Sequence, residues 1–332
     1  MASIVLGIAT SHTPLLTLTP DQWHNRAHAD YANTELNMSD GRLLNYAQVL
    51  EELGPRSADV ISHEILAAKE KACSDALDRL GDDLAKAAPD VVIIVGDDQR
   101  ELFTAANQPA IAIFHGDEIV TSGKYGDEES ADWVKNMGRG YLMDEVHTVA
   151  GSSAFALELI KGLIDENFDI ATASRVDDPK VAGFGHAYGF IVKRLFRGRS
   201  IPVVPILLNT YYGPNVPSAS RCHDLGLALC RVVEASPNPL RVAIIASGGL
   251  SHFVVDEELD HRILDALGSG DHTALRCIPR GALNSGSSEI LNWIVTAGAA
   301  QALPLRWKEY QPLFRTPAGT GVGAAFAVWG KA

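Results

Sequence analysis

Short apolar runs alternate along this chain with longer amphipathic stretches, as strands and helices do when they take turns. The runs at 4–9, 91–95, 110–114, 203–208 and 241–246 predict strands. Over 61–87, Leu66, Cys73, Ala76, Leu77, Leu80 and Leu84 recur at three- and four-residue spacing, and Pro89 lies just past the end. That spacing predicts a helix with one buried face. Helices are also expected around 153–164, over 218–234 with Leu225, Leu229, Val232 and Val233 on one face, and from near Asp256. The stretch Asn284-Ser285-Gly286-Ser287-Ser288-Glu289 holds several N-cap candidates and predicts a further helix start. Residues 15–60, rich in Trp, His, Asn and Tyr, show no clean period and read as an irregular insertion or cover segment. The expected fold class is α/β: a single domain over 1–332 with a central mixed β-sheet flanked by helices.

Four of the predicted strands deliver polar chemistry at their carboxyl ends, where open α/β sheets bind ligands. The first leads into Ser11-His12, the second into Gly96-Asp97-Asp98-Gln99, the fourth into Asn209-Thr210-Tyr211, and the fifth into Ser247-Gly248-Gly249-Leu250-Ser251-His252. His186 adds a glycine-flanked histidine, and Glu258 a carboxylate on the first turn of the helix near Asp256. Neutral nitrogen donors with one carboxylate and open positions suit non-haem Fe(II), and further histidines suit acid–base work near neutrality. Each member alone has a plainer reading. His12 could cap a loop, and Glu258 could be a solvated carboxylate favoured by the helix dipole. His24, His28, His223, His261 and His272 read as surface or structural. Gly319-Thr320-Gly321-Val322-Gly323 lacks the helix and Lys-Ser/Thr of a phosphate loop and reads as a closely packed strand.

Composition narrows the classes. With 46% hydrophobic and 21% charged residues the chain has ample material for a core. A net charge of −13 argues against nucleic acid or an anionic membrane as partner, though not against a small anionic substrate held locally. Cys73, Cys222, Cys230 and Cys277 have no metal-type spacing and are expected as buried, reduced thiols. The first residues lead straight into a strand, without the basic and apolar regions of a secretory signal, and no run reaches a membrane span, so a cytoplasmic location is expected.

The chain resembles the class III extradiol ring-cleaving dioxygenases, the superfamily of the protocatechuate 4,5-dioxygenase β subunit, and within it the gallate and 3-O-methylgallate dioxygenase-like branch. The resemblance rests on Gly7-Ile8-Ala9-Thr10-Ser11-His12-Thr13-Pro14, Pro89 through Gln99, Gly185-His186, Ser247 through His252, Glu257-Glu258-Leu259-Asp260, Ser288 through Trp293, and 319–326. It implies Fe(II)-dependent meta cleavage of a catechol- or gallate-type aromatic acid by O₂. It also implies His12 and Glu258 as iron ligands, His186 as the acid–base histidine, and His252 on the substrate side. Ser285, Ser287 and Ser288, at a helix start, could hold a substrate carboxylate through hydroxyls and free N–H groups.

One position departs from the family pattern: Gln99 stands where its second histidine ligand is expected. Gln99 could itself bind the metal, another histidine could replace it, or the iron could be absent. His63, at the amino end of the helix over 61–87, is the candidate replacement, with an exposed helix-start residue as the alternative. Arg100 could hold a substrate carboxylate or pair with a neighbouring acid. Two rival readings follow from the departure: a non-oxidative hydrolase, lyase or isomerase using His186 and His252, and a catalytically silent binding or partner protein. Trp23, Tyr31 and Tyr46 in the irregular segment suggest a homo-oligomer in which one copy covers its neighbour's site.

Overall fold

In the computed structural model, which describes residues 1–331, nine strands form one mixed sheet. They are β1 (Ser3–Thr10), β2 (Val91–Asp97), β3 (Ile111–Phe114), β4 (Ala171–Ala173), β5 (Val203–Leu208), β6 (Arg241–Ser247), β7 (His252–Val254), β8 (Leu305–Phe314) and β9 (Thr320–Gly330). The spatial order is β7-β9-β1-β6-β2-β5-β3-β4, with β8 along the other side of β9. The centre is parallel: β1 with β6, β6 with β2, and β2 with β5. Their carboxyl ends therefore open on one edge, with Thr10 beside Ser247 and Asp97 beside Leu208.

Both faces of this centre are covered, which is why its strands read as unbroken apolar runs rather than as alternation. Val91, Ile93 and Val95 join the core on one face while Val92 and Ile94 join the core on the other. The helices that cover the sheet's faces include α1 (His63–Ala87), α2 (Ser153–Asp165), α3 (His186–Ile191), α4 (Ala219–Ala235), α5 (Glu257–Ser269) and α6 (Ile290–Ala299). Residues of α2, α4 and α6 fill the first face, and Cys73, Leu77, Leu80 and Leu84 of α1 fill the second. All of α6 is buried, and it crosses α4 so closely that a methyl group at Gly226 would overlap the Val295 carbonyl. Serine and aspartate start the helices as the sequence suggests. Ser218 accepts from the Arg221 amide at 3.2 Å and Asp256 from the Leu259 amide at 3.0 Å.

Three differences from the sequence pattern matter. Residues 15–60 are more ordered than expected, with helices His24–Ala32 and Tyr46–Leu53 and the small hairpin Leu36–Asn37 with Leu43–Leu44. These pieces are too short for a period to stand out. Strand β8 was not anticipated because charged residues face out along its half-buried length. The serine-rich stretch forms a 3-10 turn, Ser285–Glu289, before α6 begins. Cys73, Cys222 and Cys230 are buried as expected, whereas Cys277 is exposed, and all four are free thiols. Among the described residues no helix is long and apolar enough to cross a membrane.

Candidate active site

The carboxyl edge of β1 is pinned before it delivers its histidine. Ser11 exchanges bonds with Ala325 of β9 in both directions, at 3.0 Å each, and the Tyr141 hydroxyl donates to the His12 carbonyl at 2.7 Å. His12 is thereby held with its ring buried against the end of β6, its Nδ1 2.9 Å from Ser247 Oγ. The Ser247 hydroxyl spends its own proton on the Ala187 carbonyl at 2.6 Å. It must therefore accept from His12, which places the ring proton on Nδ1 and leaves a bare lone pair on Nε2. That lone pair points at carboxylates: Glu289 Oε2 at 3.4 Å and Asp97 Oδ1 at 4.0 Å.

Asp97 is the last residue of β2 and is buried; its Oδ1 has no hydrogen-bond partner. Its other oxygen accepts from Gln99 Nε2 at 3.0 Å, and the same amide nitrogen lies 3.5 Å from His186 Nε2. The loop after β2 turns back because the Asp98 carboxylate accepts from the Glu101, Leu102 and Phe103 amides. That turn buries Glu101, whose Oε1 lies 2.8 Å from His186 Nδ1 at the first residue of α3. His186 Nε2 then faces Asp97 Oδ2 at 3.8 Å.

The third wall comes from the loop after β6 and the start of α6. Gly248 adopts φ +155°, and a Cβ there would crowd Glu289. The next amide, Gly249 N–H, donates to Glu289 Oε2 at 2.7 Å. His252 Nδ1 must donate to the Leu250 carbonyl, 2.9 Å away, so its Nε2 is also bare, 3.9 Å from Glu289 Oε2. A cavity of about 180 Å³ lies between these groups, walled further by Arg26, Tyr125, Met137, Tyr141, Tyr211 and Phe253.

The protonation pattern follows from these partners. Burial pushes His12 down to about 3, with the neighbouring His186 charge adding to the effect. Burial lowers His252 as well. It opposes a charge on His186 too, but Glu101, helped by Asp97 and Glu289, outweighs it and carries the ring up to about 10. Glu101 is held below its usual range by that cation despite its burial. Asp97 is raised, first by burial and then by Glu289.

The donor set can be tested for a metal on these facts. His12, Asp97 and His186 each offer a ligand atom, all within 4.8 Å of one another. His12 Nε2, Asp97 Oδ1 and Glu289 Oε2 converge, and Asp97 Oδ1 has no protein partner there, an arrangement that a bound cation would satisfy. Imidazole and carboxylate donors fit a divalent first-row ion.

The structure brings together only some of the residues the sequence suggested. His12, Gln99, His186 and His252 line the cavity. Glu258 does not: it is exposed on the outer face of α5, because the chain between β6 and α5 carries that helix start away from the strand ends. The carboxylate beside His12 is Glu289 instead. His63 is exposed and pairs with Asp21 at 2.8 Å, since α1 begins beyond the rim of the edge. Arg100 is exposed over the Tyr212 ring, 4.1 Å from its centre. Ser287 and Ser288 are occupied structurally: Ser287 Oγ bonds both the amide and the carbonyl of His252, and Ser288 bonds the Ser285 carbonyl. Ser285 is not among the residues lining the cavity. Trp23 is buried against Leu15 and Leu18, and Tyr31 stacks on Tyr46 within the same chain. Asp97, Glu101, Tyr141 and Glu289 were missed as site residues. The readable signal for Asp97 and Glu289 was a charge set at the end or the start of an otherwise apolar buried run.

A family model described as "Catalytic LigB subunit of aromatic ring-opening dioxygenase" matches residues 60–326. Asp97, His186, His252 and Glu289 fall inside that span, and His12 lies before it. Gallate dioxygenase of Pseudomonas putida is 28% identical over 166 residues, covering 46% of this chain and 47% of that protein. The 2,3-dihydroxyphenylpropionate/2,3-dihydroxicinnamic acid 1,2-dioxygenase of Comamonas testosteroni is 30% identical over 167 residues, covering 50% of this chain and 44% of that protein. The chain thus spans less than half the length of each of these curated relatives.

Proposed function

The chain belongs to the family of the catalytic LigB subunit of aromatic ring-opening dioxygenase, and from that premise we propose that it catalyses Fe(II)-dependent extradiol cleavage of a catechol- or gallate-type aromatic acid by O₂. The observation that carries the reading is the convergence of His12 Nε2, the unpartnered Asp97 Oδ1 and Glu289 Oε2 beside a cavity of about 180 Å³. The names of the two relatives, a gallate and a dihydroxyphenylpropionate dioxygenase, support the substrate class.

In this reading His12, Asp97 and Glu289 hold the ion, with Gln99 fixing Asp97 through its amide. An ion so held supplies Lewis acidity toward phenolic oxygens and electron exchange with O₂. The two remaining histidines divide the proton work. His252 presents a bare Nε2 and accepts a phenolic proton; His186, charged against Glu101, donates from Nε2 to oxygen that gains negative charge. Met137, Tyr141 and Phe253 keep water from the ring. Partners are then a small aromatic substrate and O₂.

The test is anaerobic reconstitution with Fe(II), then oxygen uptake with protocatechuate, gallate and 3-O-methylgallate. Stoichiometric uptake with a ring-opened product is expected. Failure to bind iron together with no ring-opened product rejects the reading. One observation favours a second reading, non-oxidative acid–base catalysis: His186 and His252 form an acid and a base without any ion. Turnover under argon that ignores chelators would mark that alternative.

A further inference from the structure

One side chain lining the cavity has no use in the chemistry above. Arg26, on the helix His24–Ala32, reaches the same cavity as His12 and His186. Its Nε is buried without a hydrogen-bond partner. Among the described residues its guanidinium makes no hydrogen bond and no ion pair at all. Other half-buried arginines are paired, as Arg315 is with Asp30 and Arg194 with Asp78.

The vacancy is built in rather than incidental. Asp30 lies four residues on along the same helix, where a carboxylate would normally meet an arginine one turn away. Both its oxygens are already taken: Oδ1 accepts from Arg315 Nη2 at 2.9 Å, and Oδ2 accepts from Arg315 Nε and Thr320 Oγ1 at 2.7 Å each. Arg26 is thus left beside Arg315, Tyr125 and Tyr141, with Asp30 near it but already committed to Arg315 and Thr320. An unpaired cation withdrawn from water is costly unless something pairs with it. The two carboxylates of the cavity, Glu101 and Glu289, are engaged by His186 and by Gly249, and of its other cations Arg315 is paired with Asp30 while Lys124 is exposed.

We propose that Arg26 is the carboxylate-binding residue of this cavity and selects substrates bearing an acid group on the ring. The planar fork matches a carboxylate in two parallel bonds, and aromatic walls at Tyr125 and Tyr141 suit the ring attached to it. Arg26 takes the part that Arg100, Ser285, Ser287 and Ser288 do not reach. It lies before the span of 60–326 matched by the family, as His12 does. The inference rests on the proposed reading for the identity of the ring but not for the capture of the acid.

The experiment is calorimetric titration under argon with 3,4-dihydroxybenzoate and with catechol, on the unaltered protein, Arg26→Met and Arg26→Lys. The unaltered protein should prefer the acid over catechol by roughly 10- to 100-fold, the worth of a charged bidentate contact. Arg26→Met should bring that ratio near one. Arg26→Lys keeps the charge, loses the fork and should lower the ratio several-fold; it decides the matter if the methionine variant does not fold. A ratio unchanged by either variant overturns the proposal. Absent oxygen uptake with an Arg26-dependent ratio rejects ring cleavage and leaves this inference standing. Ring cleavage with a ratio that ignores Arg26 does the reverse.

Discussion

The rings of His12 and His186 lie with their centres 4.6 Å apart, yet the two sides of the cavity hold protons in opposite ways. On the side built from β1, β6 and α6, the outer nitrogens of His12 and His252 donate to a hydroxyl and a carbonyl. Such neutral acceptors fix a tautomer without stabilising a positive charge, so burial wins and both rings are neutral. On the side built from β2 and α3, the outer nitrogen of His186 meets a buried carboxylate, and the ring is charged. Burial is similar on both sides. What differs is the chemistry of the atom behind each ring, which lies away from the cavity and sets what the cavity face can do.

Removing that atom's charge should erase the contrast, and it carries the largest expected effect. In Glu101→Gln the amide oxygen can still accept from Nδ1, so the ring stays in place but loses its counter-charge. His186 should become neutral at pH 7.5, read directly as a change from imidazolium to imidazole in its ring-nitrogen NMR shifts. The turnover number should fall by about 10²–10⁴, the usual worth of a positioned proton donor. An imidazolium that survives the substitution breaks the comparison.

Asp97→Asn tests the carboxylate at the end of β2 that faces both rings. The unpartnered Oδ1 has no role in the packing, so its charge costs stability in protein kept free of metal. The variant should gain on the order of 1 kcal/mol in urea unfolding with EDTA present, while its affinity for Fe(II) drops by about 100-fold or more. Gain on one axis and loss on the other is the signature of a residue kept for binding. A variant less stable and equally able to bind iron would show that Asp97 is structural.

The two sides also predict opposite limbs of a pH–stability profile. His12 has a folded pKa of about 3, below its ordinary 6.5. Its contribution is present above pH 6.5 and is lost as pH falls toward 3, and the lowered His252 adds to the same limb. His186 is raised to about 10, so its contribution is present below pH 6.5 and lost as pH rises through 10. Each group sets a slope of up to about 1.4 kcal/mol per pH unit. Because other buried groups titrate over the same range, the readout is a difference: in urea unfolding, the stability advantage of the unaltered protein over Glu101→Gln should shrink as pH rises from 7.5 to 9.5 and the His186 cation is lost.

The sheet was readable because strands covered on both faces leave unbroken apolar runs, and α1 because a long helix repeats its period often enough to be counted. His12, His186 and His252 were readable as candidates because each follows a strand or a glycine-marked turn. Their protonation was not, since it depends on Ser247, Leu250 and Glu101, which are brought to them by folding. Arg26 was invisible for a different reason: its importance is the absence of a partner, and Asp30 four residues away looks in sequence like the partner it lacks.

The carboxylate beside His12 shows how close the wrong choice can be. Glu258 and Glu289 both stand near helix starts, and first-turn chemistry cannot separate them. What separates them is the helix that follows. Glu258 opens α5 on the face that also carries His261, Arg262 and Asp265, so it is left in solvent. Glu289 opens α6, whose ten residues are all buried and carry no formal charge. A carboxylate at the head of such a helix is drawn in with it, and is retained only where a donor such as Gly249 N–H meets it. Glu258→Ala should therefore leave iron binding and oxygen uptake unchanged and shift stability by less than about 0.5 kcal/mol, as an exposed site does. Glu289→Ala, measured beside it, should abolish iron binding. If instead Glu258→Ala removes iron, the ion is held by a fold of this edge other than the one described, and the contrast between the two sides falls with it.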